Sequence, residues 1–143
     1  MDLQTEWIVG FVDGEGVFHI SIKENEIIPE FAIIQHQQDV QVLHAMKAYF
    51  GCGVVRKCHN NRLAYQVRGI EQLMEHIVPF FEKHPLKTKK NLDFIWFRKV
   101  LIKITRREHL TFDGFEEIQK IEGKMNRSNL RYSPALLETK EIN

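Results

Sequence analysis

Two acids separated by one residue, Asp13 and Glu15, follow two glycines four positions apart, Gly10 and Gly14, in the stretch WIVGFVDGEG. Thr5 to Gly14 reads as a short helix, with Trp7, Ile8, Phe11 and Val12 supplying apolar contacts. On that helix Gly10 and Gly14 share a face. Each glycine weakens a helix by about 1 kcal/mol relative to alanine, so something must come close to the backbone there. It is either a segment of the same monomer or a second helix from another subunit. The acids fall at the helix C-terminus, where the macrodipole favours cations and an acid is misplaced by about 0.3–1 kcal/mol. A divalent cation reverses that sign, because hard cations take carboxylate oxygens. The alternative is that both acids are solvated or cap neighbouring amides.

Other chemistries find less support. Cys52, Cys58 and His59 invite a zinc reading, but the spacing fits no common finger and lacks a fourth ligand. The seven histidines form no metal motif such as HExxH, and no nucleophile arrangement or cofactor loop stands out. The net charge of +1 says nothing about nucleic acid, whereas its distribution does. Lys83, Lys87, Lys89, Lys90, Arg98, Lys99, Lys103, Arg106 and Arg107 cluster, opposed only by Asp93 before Glu108. Arg56, Lys57, Arg62 and Arg68 form a second group. Such clusters suit phosphate neutralisation, or else form solvated basic faces offset by acids elsewhere.

The elements that must position these residues follow from pattern. A chain of 143 residues, 43% hydrophobic and 27% charged, fits one soluble domain over 1–143. With two cysteines no disulfide framework is expected, and a reducing, intracellular setting is the simpler reading. No apolar run is long enough to span a bilayer, and MDLQTEW has no secretory character, so no membrane partner is expected. Strands are expected through VFHISIK, turning at ENE, and through EFAIIQHQ. Asp39 is placed to cap a helix from Val40 to Phe50, with Gly51 as its stop. Gly53 to Cys58 and Leu63 to Arg68 read as a second hairpin, turning at His59, Asn60 and Asn61. A helix near Ile70 to His76 should break close to Pro79. Thr88 and Thr111 should cap two further helices, and Ser133 with Pro134 should open a last short one. The result is an α+β fold, helix, hairpin, helix, hairpin, then helices (αββαββα), on a four-stranded antiparallel sheet.

These residues carry a family resemblance. WIVGFVDGEG resembles the signature of LAGLIDADG homing endonucleases, with Gly10, Phe11, Val12, Asp13, Glu15 and Gly16 on its Gly-Leu-Ile-Asp-x-acid-Gly core. The element order, FAIIQ and PLKTKK match as well, so the resemblance covers nearly the whole chain. It implies that two signature helices meet at a dimer interface, here Trp7, Gly10, Phe11, Gly14 and Asp13. It also implies that the final acid, Glu15, binds a divalent metal beside DNA. The metal would be Mg2+, with Mn2+ or Ca2+ able to substitute for binding. Glutamate replaces the motif's aspartate and adds a methylene, which bears on metal position and preference. Asp13 is expected to support the helix end.

Gln35 resembles the family's polar residue near the metal and attacking water, unless it faces solvent. Lys87 falls on a lysine near the scissile phosphate, where a cation stabilises transition-state charge. Lys89 is the alternative, because matching Glu82 to Pro85 needs a gap. The sheet would lie in the major groove. Its readers would be His19, Ser21 and Lys23, with Asn25 in the turn, then Glu30, Arg56, Cys58, Gln66 and Arg68. A solvent-exposed polar sheet face would show the same alternation. Ser128, Asn129 and Arg131 resemble a phosphate-contacting loop. One motif without a second copy implies a homodimer on a partly palindromic site. The implied activity is that of a site-specific, intron-homing DNA endonuclease, with double-stranded DNA as partner and no small-molecule cofactor. The alternatives are an RNA maturase and an inactive DNA-binding module on the same fold. The implied location is an organelle (chloroplast or mitochondrion) or the prokaryotic cytoplasm.

Overall fold

A computed structural model describes residues 1–126 and 137–142. Helix α1, Thr5–Glu15, passes without a loop into strand β1, Gly16–Lys23. The junction is tight at Gly16, where a Cβ would lie 2.8 Å from Val12 Cγ1 and 3.1 Å from the Val12 carbonyl oxygen, so a side chain would need Val12 to shift. Strand β2, Glu26–His36, returns antiparallel, pairing Lys23 with Glu26 and Gly16 with Ile33. Glu24 and Asn25 are the whole turn, with φ of 52° and 69°. Two left-handed residues in succession match the right-handed twist of a hairpin. The turn therefore closes within ENE, and β2 begins four residues ahead of the expected EFAIIQHQ. Pro29 is tolerated because β4 pairs with β2 only from Phe31 onward.

A 3-10 turn, Gln37–Asp39, leads into α2, Val40–Phe50. The expected Asp39 side-chain cap is not made; instead His36 Nδ1 accepts from the Gln38 amide at 3.1 Å. Gly51 ends α2 in the left-handed region, as expected. Strands β3, Val54–Cys58, and β4, Arg62–Val67, form the second hairpin, with Asn60 and Asn61 at positive φ. The helical run 70–83 then consists of α3 (Ile70–Gln72), a π segment (Leu73–Ile77) and α4 (Val78–Lys83). The expected break at Pro79 is absent. The Val78 amide bonds to the Leu73 carbonyl five residues back, widening the turn just ahead of the proline, which has no amide to donate.

Helix α5 spans Lys90–Thr105 and α6 Phe112–Lys124, joined by a 3-10 turn at Glu108–Leu110. Thr111 caps α6 as expected, accepting from the Gly114 amide at 3.0 Å. The Ser133–Pro134 helix start lies outside the described residues. Residues 137–142 are a strand, β5 (Leu137–Ile142), rather than a helix. The sheet therefore holds the four expected antiparallel strands plus a fifth on the β3 edge, in the order β1-β2-β4-β3-β5.

One face of the sheet builds the core. Phe18, Ile20, Phe31, Ile33, Val55, Tyr65 and Val67 pack under the helices. The Phe18 ring centroid lies 5.1 Å from Phe31, 5.5 Å from Phe81 and 5.3 Å from both Phe94 and Phe97. Lys103 of α5 pairs with Glu117 of α6 at 2.5 Å, and Arg98 of α5 with Glu82 of α4 at 2.5 Å.

Two glycines in one helix provide a test of this packing. A Cβ on Gly114 would sit 1.8 Å from the Glu108 carbonyl oxygen, whereas one on Gly123 would meet nothing within 4 Å. Gly114→Ala should cost about 1–3 kcal/mol or more, and Gly123→Ala should be neutral or stabilising by up to about 1 kcal/mol. Urea unfolding of the two variants measures the difference; equal effects would contradict the α6 docking.

Candidate active site and nucleic-acid interface

Glu15 is the last residue of α1 and is exposed. Among the described residues its carboxylate makes no hydrogen bond. Asp13 behaves differently. Its carboxylate accepts from the Lys87 amide at 2.7 Å, the Thr88 amide at 3.2 Å and the Thr88 hydroxyl at 2.7 Å. The Thr88 oxygen in turn accepts from the Lys90 amide at 3.2 Å, so Thr88 supports the start of α5, although the N-cap position is Lys89 and not the expected Thr88. Lys90 Nζ reaches back to the Val12 carbonyl at 3.1 Å. The carbonyl end of α1 thus receives an ammonium, and the amide end of α5 a carboxylate, each favoured by the local dipole. Partial burial opposes the charge on Asp13, but the hydrogen bonds and Lys90 prevail and hold its carboxyl below the ordinary value. Burial pushes the Lys90 ammonium down, against the pull of Asp13, Glu15 and Asp93.

This exchange fixes the loop bearing Lys87 and Lys89, both exposed, against the helix end that carries Glu15. Gln35 lies at the corresponding end of β2, since Gly16, next after Glu15, pairs with Ile33. It is half-buried, and its Nε2 donates to the Ile34 carbonyl at 2.8 Å. Sequence reasoning missed three supporting groups. Lys90 is one. The others are Asn126 and Asp93: the Asn126 amide donates to Asp93 at 3.1 Å, and Asn126 Nδ2 donates to the Phe18 carbonyl at 2.6 Å. Lys90 was visible only as part of a basic run, and nothing local marks Asn126.

The face of α1 away from the core carries Trp7, Gly10, Phe11 and Gly14. Trp7 is 44% exposed and stacks on Phe11 at 4.7 Å with 13° between planes. Among the described residues a Cβ on Gly10 or Gly14 would meet nothing within 4 Å, so their packing does not require glycine at either position. Asp13, expected at this interface and as a support for the helix end, is bonded within its own chain at that end.

The expected base readers share the sheet face opposite the core. Strand alternation puts His19, Ser21 and Lys23 there on β1, Glu30 on β2, Arg56 and Cys58 on β3, and Gln66 on β4, with Arg68 just beyond it; Asn25 is at the hairpin tip. His19 stands opposite Glu30. The centre of this face is closed, for Glu30 is 1% and Gln66 3% exposed, and Val17, Ala32 and Ala64 are buried. Gln66 Nε2 and Arg68 Nε both donate to Glu30 Oε1, the latter at 2.8 Å, and Arg56 Nε donates to Gln66 Oε1 at 2.9 Å. Burial pushes the His19 imidazole down, with Arg68 in the same direction and Glu30 and Glu122 opposing. Ser128, Asn129 and Arg131 lie outside the described residues.

The basic run is not one strip. Lys90, Arg98 and Lys103 are engaged by other elements, and Lys99 and Lys124 flank the Trp96 ring at 5.6 and 5.1 Å. Cys52 lies in the core, where Tyr65 Oη donates to its carbonyl at 2.9 Å, while Cys58 belongs to the opposite face. Among the described residues no three His, Cys, Asp or Glu side chains converge as a cage for a metal ion, and no helix is long and apolar enough to cross a membrane.

Comparison with known proteins follows this geometry closely. Residues 8–101 match the model of the LAGLIDADG endonuclease family. The crystal structure of a homing endonuclease, I-TnaI, is 48% identical, covers 90% of this chain and 92% of its own, and superposes with a TM-score of 0.86. I-SmaMI, bound to uncleaved DNA target in the presence of calcium ions, is 30% identical over 86% of this chain and 45% of its own, with a TM-score of 0.81. The probable intron-encoded endonuclease 2 of Neurospora crassa is 28% identical over 83% of this chain. The chain spans only 26% of the length of that relative. With the signature helix, the two hairpins and the docked lysine loop all in place, this chain belongs to the LAGLIDADG endonuclease family.

Proposed function

We propose that the chain is a site-specific DNA endonuclease that hydrolyses both strands of a long, partly palindromic duplex, as intron homing requires. It would act as a single domain per protomer, in a homodimer, with a divalent cation. The observation that carries this reading is the exposed Glu15 carboxylate at the end of a helix whose outer face bears two glycines that no packing among the described residues needs. The homing endonucleases it resembles favour DNA over RNA as the ligand, and the intact acids favour an enzyme over a bare binding module. An intron-encoded relative supports an intracellular setting, in an organelle or a prokaryotic cytoplasm.

At this helix end each protomer offers, among the described residues, the single free carboxylate of Glu15, which is too few donors for a hard cation. A second protomer packed on Gly10 and Gly14 would bring a second Glu15 alongside, and phosphate oxygens would complete the shell. I-SmaMI, about twice as long as the matched region, is consistent with two such units acting together. Glu15 fits a cation by its hardness, its lack of competing hydrogen bonds and its place at a negative helix end. When bound, a divalent cation supplies charge neutralisation at the scissile phosphate and a more acidic water, and Mg2+ is the natural ion for that work. The chain's own residues do the rest. Asp13 and Lys90 hold the end of α1 against the 87–89 loop. Lys87 or Lys89 would then meet the charge that develops on the phosphate, with Gln35 ordering water at the same edge.

The assembly, the metal and the clasp can be separated by experiment. Gly10→Leu should leave the fold of the single chain intact, because nothing lies within 4 Å of the added carbon, while weakening self-association by about tenfold or more. Sedimentation with thermal melting distinguishes this from misfolding, and a wild type that stays monomeric with and without DNA would defeat the symmetric model. Glu15→Gln should lower cleavage on the order of 100-fold or more while DNA binding survives, measured by paired plasmid-nicking and gel-shift assays across a magnesium titration. Near wild-type cutting would place the active centre elsewhere. Asp13→Asn should cost about 1–3 kcal/mol of stability, since it removes the charged acceptor of three hydrogen bonds. Cleavage should fall with it, and unchanged unfolding would show that the clasp is not structural.

A further inference from the structure

We infer that Glu30 and Gln66 do not read bases but form a buried anchor that holds Arg68, and through Gln66 also Arg56, in the orientation for reading guanine. The inference rests on the sheet lying in the DNA groove. Both anchor side chains are buried on the face away from the core. Both ends of the Gln66 carboxamide are engaged, one by Glu30 and one by Arg56. A bidentate contact from Gln66 to adenine would have to break this pair. Glu30 Oε1 already accepts from Gln66 and Arg68, while its Oε2 is buried without a hydrogen-bond partner among the described residues.

Stability does not account for such an arrangement. A buried carboxylate with one oxygen unsatisfied opposes folding, and apolar residues of similar size would serve the fold as well or better. On a surface that must meet phosphates, a bare acid also repels its ligand. The arrangement makes sense if its product is the orientation of arginine. Arg68 is half-exposed and bonded through Nε. A guanidinium held by Nε keeps its terminal nitrogens as a separate edge, and that paired edge matches guanine O6 and N7. Fixing the side chain before DNA arrives removes part of the ordering cost of binding. Glu30 is therefore a positioning residue that determines specificity through Arg68.

The test begins with selection of preferred sites from a randomised duplex DNA library by the full chain. Base preference is then profiled for the wild type, Arg68→Ala, Glu30→Gln and the double variant. Glu30→Gln should flatten guanine preference by about tenfold at the same base pairs as Arg68→Ala, and the double variant should add nothing there. Gln66→Met, which keeps length in a buried position, should flatten the guanine positions of Arg56 and Arg68 and affect no base pair of its own. A separate base pair altered by Glu30→Gln or Gln66→Met alone, or an unchanged profile, would overturn the inference. Without DNA, the Arg68 Nε–H resonance should be slow to exchange in the wild type and fast in Glu30→Gln. Fast exchange in the wild type would also overturn it. A library that yields no enriched site, with the Nε–H signal protected, would instead defeat the DNA-reading function and with it the role in specificity. Enriched sites with an unaltered Glu30→Gln profile would defeat the anchor alone.

Discussion

The candidate active site depends on an exchange of charge between two helix ends. Asp13 takes the amides of Lys87 and Thr88, and Lys90 takes the carbonyl of Val12. Each contact satisfies backbone groups that a helix terminus would otherwise leave to water. Both ends are tied at once, so the last turn of α1 is held against the loop before α5. Glu15 and the two exposed lysines, distant in sequence, are thereby fixed at one edge of the sheet. The clasp also settles what the two acids do. Asp13 has its charge used internally, and Glu15 is left with its oxygens available.

Glycine has two different meanings in this chain. At Gly16 a side chain would press on Val12, and at Gly114 it would run into the Glu108 carbonyl; the fold itself disfavours anything larger at both. At Gly10 and Gly14 the surrounding space is open among the described residues. Glycine in a helix interior is intrinsically unfavourable, so its presence where the chain has room points to a constraint outside the chain. The stacked pair Trp7 and Phe11 lies on the same face. A half-exposed aromatic pair beside a flat backbone strip is the shape that a second helix can approach closely.

The sheet face away from the core follows a comparable logic with charge. A surface that must approach a polyanion gains from arginine and loses from bare carboxylate. Glu30 is there, but covered, and its charge is spent on Arg68. The helical side shows the complement. Several bases that look like a phosphate-binding run are consumed by α4, α5 and α6 in holding one another, Arg98 with Glu82 and Lys103 with Glu117. Clustering in sequence is thus a poor guide to free positive charge, because helical periodicity sends neighbouring bases to different faces.

The order of elements was legible in the sequence because it rests on local physics. Alternation marked the strands, Gly51 and Thr111 marked helix boundaries, and WIVGFVDGEG marked the signature helix with its terminal acids. The hairpin turn is one residue tighter than the expected ENE, because left-handed φ at Glu24 and Asn25 is a property of the paired strands. Pro79 proved a poor stop signal, since a widened turn absorbs it, and β5 carries no helix, since it gains its hydrogen bonds from the β3 edge. Sequence also supplied the candidate residues of the site and the sheet face that the expected base readers share, because a strand's period of two needs no tertiary information. It could not supply their partners. That Asp13 is bonded to Thr88, that Lys90 meets Val12, and that Glu30, Gln66, Arg56 and Arg68 form one connected group are all long-range facts. They depend on the register between β2 and β4 and on the docking of α5, which only the packed core decides.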